Sequence, residues 1–199
     1  MKKNAGFTLV ELLITIVIIG VLLTVGIPAL KTFMQGNQLV ASTNELIAAF
    51  NVARSEAIKR NGSVTVCEST NGTTCSVGTG DWQDGWIVFV DSGVNQTSSG
   101  AICADGNVGS SCLLRSHSAF TDNQLTVSGV DSANTSTVIN SVTFNARGLP
   151  KSSAGGAQSS HFSVCSLDDT GSTKDSRAVV LGLTGRVRVS DNAAVITCP

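Results

Sequence analysis

The sequence predicts an α+β protein in which one long N-terminal helix packs on an antiparallel β-sheet domain. Residues 7–27 carry a single charge, Glu11, and an apolar stripe at helical spacing extends the pattern to about residue 60. Beyond Asn61-Gly62 the chain changes to short alternating segments separated by turn-forming residues. Charged residues are only 14% of the 199, a composition that favours one exported, turn-rich domain of ordinary size.

The apolar segment is long enough to cross a membrane. As a helix, residues 7–27 span about 30 Å, the thickness of the hydrocarbon core of a bilayer. Lys2 and Lys3 precede the segment and the next base is Lys31, which places the N-terminus in the cytoplasm and the rest of the chain outside. A secretory signal peptide is the competing interpretation, with a weak match to a cleavage site at Val25-Gly26-Ile27.

Glu11 argues against a secretory signal. A carboxylate inside an apolar span costs about 2–3 kcal/mol and usually has a partner. The natural partner is an α-amino group released by cleavage before Phe7, on this chain or on a neighbour.

The segment Gly6-Phe7-Thr8-Leu9-Val10-Glu11 resembles the type III signal of type IV prepilins and type II secretion pseudopilins. The resemblance implies a type IV pilin-like fold, cleavage after Gly6 by a prepilin peptidase and N-methylation of Phe7. It also implies that Glu11 neutralises the new amine during assembly and that Pro28 kinks the helix. The implied partners are other pilins in a filament. The implied location is the bacterial inner membrane, with the domain in the periplasm, and then an extracellular pilus.

Three segments are expected along the chain. Residues 1–6 form the leader peptide, residues 7–30 the transmembrane and filament-core half of the helix, and residues 31–199 its amphipathic half with the globular β-rich domain. Glu56 and Arg60 form an exposed pair one helical turn apart, and Asn61-Gly62 ends the helix. The apolar stripe of the second half consists of Leu39, Leu46, Phe50, Ala53 and Ala57.

Strands are predicted after the helix, with a loop between the second and the third. The loop, residues 91–112, is rich in Gly, Ser and Asn. The predicted strands are residues 63–67, 85–90, 113–117, 124–128, 137–145, 161–166, 177–182 and 186–190.

Three further stretches are similar to minor pilins and pseudopilins of the FimT, FimU and GspH types. They are ARSEAI at residues 53–58 near the helix end, WQDGWIVF at residues 82–89, and FNARG at residues 144–148. Major pilins generally lack the second and third of these stretches, so the resemblance favours a minor pilin.

Six cysteines suggest disulfide bonds in an exported domain. Six cysteines allow 15 pairings. Short loops favour Cys67 with Cys75 and Cys103 with Cys112, which leaves Cys165 with Cys198. Some of these thiols being free is the alternative. A zinc site is less favoured because no CxxC pair occurs, and no metal or cofactor is expected.

The C-terminal segment RAVVLGLTGRVRVS, residues 177–190, predicts a hairpin that turns at Thr184-Gly185. Alternation along a strand places Arg186 and Arg188 on one side, and Val187 and Val189 on the other, toward the core. Two guanidinium groups about 7 Å apart can reach consecutive phosphates of a nucleic acid. The formal net charge is only -1, but residues 141–199 carry six bases against four acids, whereas residues 61–140 carry one base and seven acids. A polyanion would therefore prefer the C-terminal part.

The GRVR segment resembles the G-R-x-R motif of FimT-type pilins, which take part in DNA uptake for natural transformation and whose motif arginines bind DNA. The resemblance implies that Arg186 and Arg188 contact DNA. Four further basic residues are candidate helpers: Lys174, Arg177, Arg147 and Lys151.

Two alternatives to DNA binding stay open. Paired arginines on a strand also occur as a solvated face or as protection of a sheet edge. The chain also suits a structural FimU- or GspH-type subunit that primes assembly of a pilus or a secretion pseudopilus without binding DNA. Catalysis is not expected, because no nucleophile elbow, phosphate loop or HExxH motif accompanies His117 or His161.

Overall fold

The computed structural model describes most of the chain in two compact units, residues 1–38 and 39–199. The described residues are 7–76, 81–91, 112–120, 125–132, 137–151, 156–168, 170–192, 196 and 198. Helix α1, Leu9–Arg60, begins in the first unit and ends in the second.

In the first unit, α1 is apolar and exposed. It contains a window of 18 residues with a mean hydropathy of 2.7, none of it buried. By length and composition this is one helix, among the described residues, that can cross a membrane.

The end of α1 is capped as the sequence predicts. The amide of Gly62 donates to the carbonyl of Ala57 at 3.1 Å, and that of Asn61 to Ile58 at 3.2 Å. Asn61 adopts a left-handed conformation, with φ of 50°, which completes a Schellman cap. The predicted pair of Glu56 and Arg60 is present, with Arg60 Nε 2.7 Å from Glu56 Oε2, but both side chains are half-buried rather than exposed.

The second unit contains nine strands among its described residues, and all of their pairings are antiparallel. One sheet has the order β3-β2-β1-β5-β6, and the other β4-β7-β8-β9. The strands are β1 (Ser63–Glu68), β2 (Gly85–Asp91), β3 (Leu113–Ser118), β4 (Leu125–Asp131), β5 (Ser141–Phe144), β6 (Pro150–Lys151), β7 (Ser160–Leu167), β8 (Thr173–Leu181) and β9 (Val187–Ser190).

The predicted fold class, one long helix with an antiparallel β-sheet domain, is confirmed, and the strands form two sheets. The strand predicted at residues 137–145 divides between them. Val138 bridges to Val130 of the second sheet, whereas β5 pairs with β1 in the first. Short β6 was not predicted. Of the predicted loop, residues 92–111 lie outside the described residues.

One core joins α1 to both sheets. The predicted stripe is confirmed, with Leu39, Leu46, Phe50, Ala53 and Ala57 at most 1% exposed. The ring of Phe50 lies 4.8 Å from Phe162 of the second sheet and 6.5 Å from Phe144 of the first. Trp82, from a short 3₁₀ turn, completes the aromatic group and donates its indole N–H to the carbonyl of Ile139 at 2.7 Å.

Two disulfide bonds lie among the described residues. Cys67 pairs with Cys75, and Cys165 with Cys198, which ties the C-terminus to β7. Cys112 is also disulfide-bonded, and its predicted partner, Cys103, lies outside the described residues.

Glu68, at the end of β1, is a buried carboxyl group with 2% of its surface exposed. Its Oε2 has no hydrogen-bond partner among the described residues. Burial, and then the nearby charges of Asp81 and Asp84, raise its pKa from 4.5 to about 8. Glu68 therefore keeps its proton at neutral pH.

We expect Glu68 to make stability fall as pH rises. The folded state holds this proton more tightly than the unfolded state, so its contribution is complete below pH 4.5 and is lost as pH rises through about 8. Thermal unfolding of the wild type at pH 6, 7.5 and 9 should show a decline that Glu68→Gln reduces. The exposed carboxylate variant Asp175→Asn is the control, and equal declines in the wild type and Glu68→Gln would contradict the expectation.

Candidate functional site

Two hairpin turns, residues 145–149 and 182–186, share one hydrogen-bonding pattern. In each turn the fourth residue, Gly148 or Gly185, donates its amide to the carbonyl of the first residue at 2.8 Å. The first residue, Asn145 or Gly182, donates its amide to the carbonyl of the fifth at 3.0 Å. Both glycines are left-handed, with φ of 72° and 74°. This is a three-residue hairpin loop with a glycine bulge, so the predicted C-terminal hairpin is present.

The two turns pack directly on each other. A Cβ added at Gly185 would clash with the carbonyl oxygen of Gly148. A Cβ at Gly148 would lie 2.8 Å from Ile58 Cδ1 on α1. Backbone conformation therefore favours glycine at both positions, and at Gly185 the backbone contact with Gly148 also leaves no space for a Cβ.

Arg54 of α1 joins both turns. Its Nη2 donates to the carbonyl of Thr184 at 3.1 Å, and its Nε is buried without a hydrogen-bond partner among the described residues. A Cβ at Gly148 or at Gly185 would lie 3.1 Å from this Nε. We call Arg54, Gly148 and Gly185 the glycine–arginine junction. It brings together three stretches that the sequence marks separately: ARSEAI, FNARG and GRVR.

Three exposed arginines border the junction, and we call Arg147, Arg186 and Arg188 the arginine cluster. Arg147 precedes Gly148 and Arg186 follows Gly185, so the contact between the glycines makes these two arginines neighbours. Arg186 and Arg188 are two residues apart, about 7 Å along an extended chain.

The register of the hairpin fixes the direction of Arg188. Arg188 lies opposite Val180, while Val187 lies opposite the buried Leu181 and packs against the core. Arg188 therefore projects from the outer face of the second sheet, as predicted. Val189 was expected in the core but is 40% exposed, because β9 is the edge strand of its sheet.

The structure separates two of the other candidate helpers from the cluster. Arg177 is half-buried and lies opposite the core residue Val164, so it occupies the face away from Arg188. Lys174 lies near the far end of β8, about 23 Å along the strand from Leu181. Lys151 is exposed and follows the first turn, on the outer face of the first sheet.

Three of the five described acids in residues 61–140 lie away from the cluster. Glu68, with Asp81 and Asp84, is at the end of β1 about 17 Å from Ser63, the end toward which the first turn lies. Asp91, opposite Ser63, is at the nearer end and accepts a hydrogen bond from Thr65 at 3.2 Å.

A second acid near this end is Asp131, which ends β4 level with Leu181. Glu56, four residues before the end of α1, is a third. It is bound to Arg60 at 2.7 Å and to Lys59 at 3.5 Å. The hydrogen bond from Arg60 is the main cause that lowers the pKa of Glu56. Its charge is therefore already compensated within the helix.

Glu11 has a local partner at the start of α1. Its amide donates to Thr8 Oγ1 at 3.2 Å, and the amide of Thr8 lies 3.5 Å from Glu11 Oε2. This reciprocal pattern is a capping box, which the sequence signals as T-x-x-E but which was not predicted. Phe7 is 84% exposed, and Gly6 lies outside the described residues.

The comparison with protein families decides the relationship of the chain. A family described as type II transport protein GspH matches residues 42–185, well over half of the chain. The chain belongs to the GspH family. A prokaryotic N-terminal methylation motif matches residues 1–27 of this GspH-family protein. Together they make it a pseudopilin-like protein with a prepilin-type N-terminus, and its N-terminal helix suits anchoring in the inner membrane before assembly.

Solved structures similar to this GspH-family protein include the type IV minor pilin FimU of Pseudomonas aeruginosa in two crystal forms. One has 21% identity and a TM-score of 0.49, and covers 79% of this chain and 92% of its own. The other has 22% identity and a TM-score of 0.46, and covers 75% and 90%. A comparison with curated proteins gives no match.

The two histidines of the GspH-family protein are both held in packing or hydrogen-bonding contacts with other residues. His117 stacks on Trp86 at 4.0 Å and pairs with Glu45 at 2.7 Å. His161 is 5% exposed, and burial lowers its pKa. Among the described residues, no group of three or more His, Cys, Asp or Glu side chains is arranged to hold a metal ion. The proteins of this family are structural subunits rather than enzymes.

The contact between the turns predicts that Gly185→Ala costs more stability than an alanine at an open glycine. Gly171 is the matched control, because its φ is 79° and nothing lies within 4 Å of its added Cβ. Gly171→Ala should cost only the conformational penalty of about 1 kcal/mol, roughly 2–4 °C in Tm. Gly185→Ala adds the clash with Gly148 and should lower Tm further in circular dichroism melts. Equal losses would show that the turns do not pack together.

Proposed function

We propose that this protein is a minor pilin that binds DNA non-specifically through the arginine cluster, for uptake in natural transformation. The observation that carries the proposal is the placement of Arg147, Arg186 and Arg188, all exposed, on two turns that contact each other. The sequence marks Arg186 and Arg188 as a pair. The contact between the turns adds Arg147 to the same surface.

The chemistry of the cluster suits phosphate groups. Guanidinium groups make two-pronged, charge-assisted hydrogen bonds to phosphate oxygens, and they stay charged at every physiological pH. Phosphate contacts carry no sequence information, so the binding is non-specific. Three contacts give a salt slope of about 2.7 in log K against log salt concentration, which is a weak site for a single subunit. Several copies, or further basic residues, raise the affinity through avidity.

The charge around the cluster supports this proposal over a merely solvated strand face. The group of Glu68, Asp81 and Asp84 is at the opposite end of β1, and Glu68 is neutral at pH 7 because its pKa is about 8. Glu56 is already bound by two bases. DNA approaching the turns therefore meets less negative charge than the sequence composition suggests.

Arg186→Gln with Arg188→Gln should weaken DNA binding by about tenfold at low salt and reduce the salt slope by about 2. Fluorescence anisotropy of a labelled 30-base-pair duplex, titrated with the full-length chain in neutral detergent, measures both quantities. Arg147→Gln alone should reduce the slope by about 1.

The matched control removes two positive charges elsewhere. Arg115→Gln with Lys174→Gln changes one exposed base on β3 and one at the far end of β8, and should leave the affinity within about twofold. If the Arg186→Gln, Arg188→Gln variant binds as tightly as the wild type, the proposal fails. A wild-type protein that ignores DNA would leave the purely structural subunit as the function.

A further inference from the structure

We infer that Arg54 is a positioning residue for the DNA-binding surface: it holds the two arginine-bearing turns in one fixed arrangement. The inference rests on the proposed function for its consequence, and on the glycine–arginine junction for its geometry. Arg54 lies on α1, 130 positions before Thr184, and no sequence signal marks it as part of the C-terminal site.

The two turns belong to different sheets and need a connection. The turn that carries Arg147 joins β5 to β6 in the first sheet, and the turn that carries Arg186 joins β8 to β9 in the second. Among the backbone hydrogen bonds of the described residues, none joins one turn to the other. Their relative position therefore depends on the contact between Gly148 and Gly185 and on the side chain that lies against both.

Arg54 is that side chain. A Cβ added to either glycine would lie 3.1 Å from its Nε, while its Nη2 donates to the carbonyl of Thr184 at 3.1 Å. Ala53, the residue before Arg54, is fully buried in the core that both sheets share, so the helix backbone at this position is fixed to both sheets. The guanidinium group therefore holds both turns in a fixed position relative to α1.

The same geometry distinguishes positioning from direct contact with DNA. The Nε of Arg54 is buried, and its Nη2 is already bound to a carbonyl, so these two donors face the protein. A phosphate is bound only by guanidinium N–H groups that point out of the protein. The exposed side chains of Arg147 and Arg186 can point theirs outward. A lysine at position 54 would retain the charge but lacks the planar fork that spans the two turns.

The test compares Arg54→Lys and Arg54→Met in the full-length chain in neutral detergent. Both variants should bind the 30-base-pair duplex about five- to tenfold more weakly, a loss about equal to the net contribution of one ordinary hydrogen bond. Hydrogen exchange should become faster in peptides that cover residues 145–149 and 182–186, because both turns lose their common support. Arg60→Lys, a conservative change one and a half turns along the same helix, should leave both readouts unchanged.

Each outcome decides between explanations. An Arg54→Lys variant with wild-type affinity beside a weakened Arg54→Met variant would overturn the inference, because Arg54 would then act through its charge on DNA. Unchanged exchange in both turns would overturn it as well. If the wild-type protein does not bind DNA, the proposed function fails, and faster exchange in both turns of the two variants would still establish Arg54 as the support of this surface.

Discussion

Burial of one face of α1 is the constraint on which the second unit depends. Phe50 contacts aromatic rings from both sheets, and Ala53 and Ala57 are fully buried on the same face one and two turns later. Small residues at these positions let the ends of both sheets approach the helix closely, and the tight turns follow from that approach. The two sheets share one core because one helix supplies the apolar surface that each needs.

The candidate site results from the packing of both sheets on the C-terminal end of α1. The buried face of α1 consists of the small residues Ala53 and Ala57 near its end. The neighbouring Arg54 is half-buried, and it contacts the backbone of the two turns. Glycine is the residue that permits this, because a left-handed φ and the absence of Cβ are needed at the same position. The residues beside the glycines are then turned outward, and in this chain they are arginines.

Local features were predictable from the sequence, and tertiary contacts were not. Periodicity identified the stripe from Leu39 to Ala57, the cap at Asn61 and the outward direction of Arg188, since each depends on neighbours within a few residues. The division of residues 137–145 between two sheets depends on distant partners, as does the exposure of Val189 at a sheet edge. The meeting of Arg54, Gly148 and Gly185 has no local signal, because these residues are 94 and 37 positions apart.

The balance of charge at the site also differs from what composition suggests. A count of side chains makes residues 61–140 strongly acidic. Glu68, however, retains its proton at neutral pH and lies at the end of β1 that is farther from the two turns. Position and protonation therefore matter more than the count, because screening limits the reach of an exposed charge to about 10 Å at moderate salt. Three arginine–phosphate contacts release little free energy, so they offset little of the entropy lost if the site becomes ordered only on binding. If it binds DNA, holding Arg147 and Arg186 on two interlocked turns lowers the entropy that binding must overcome, and this favours a rigid junction over flexible basic loops.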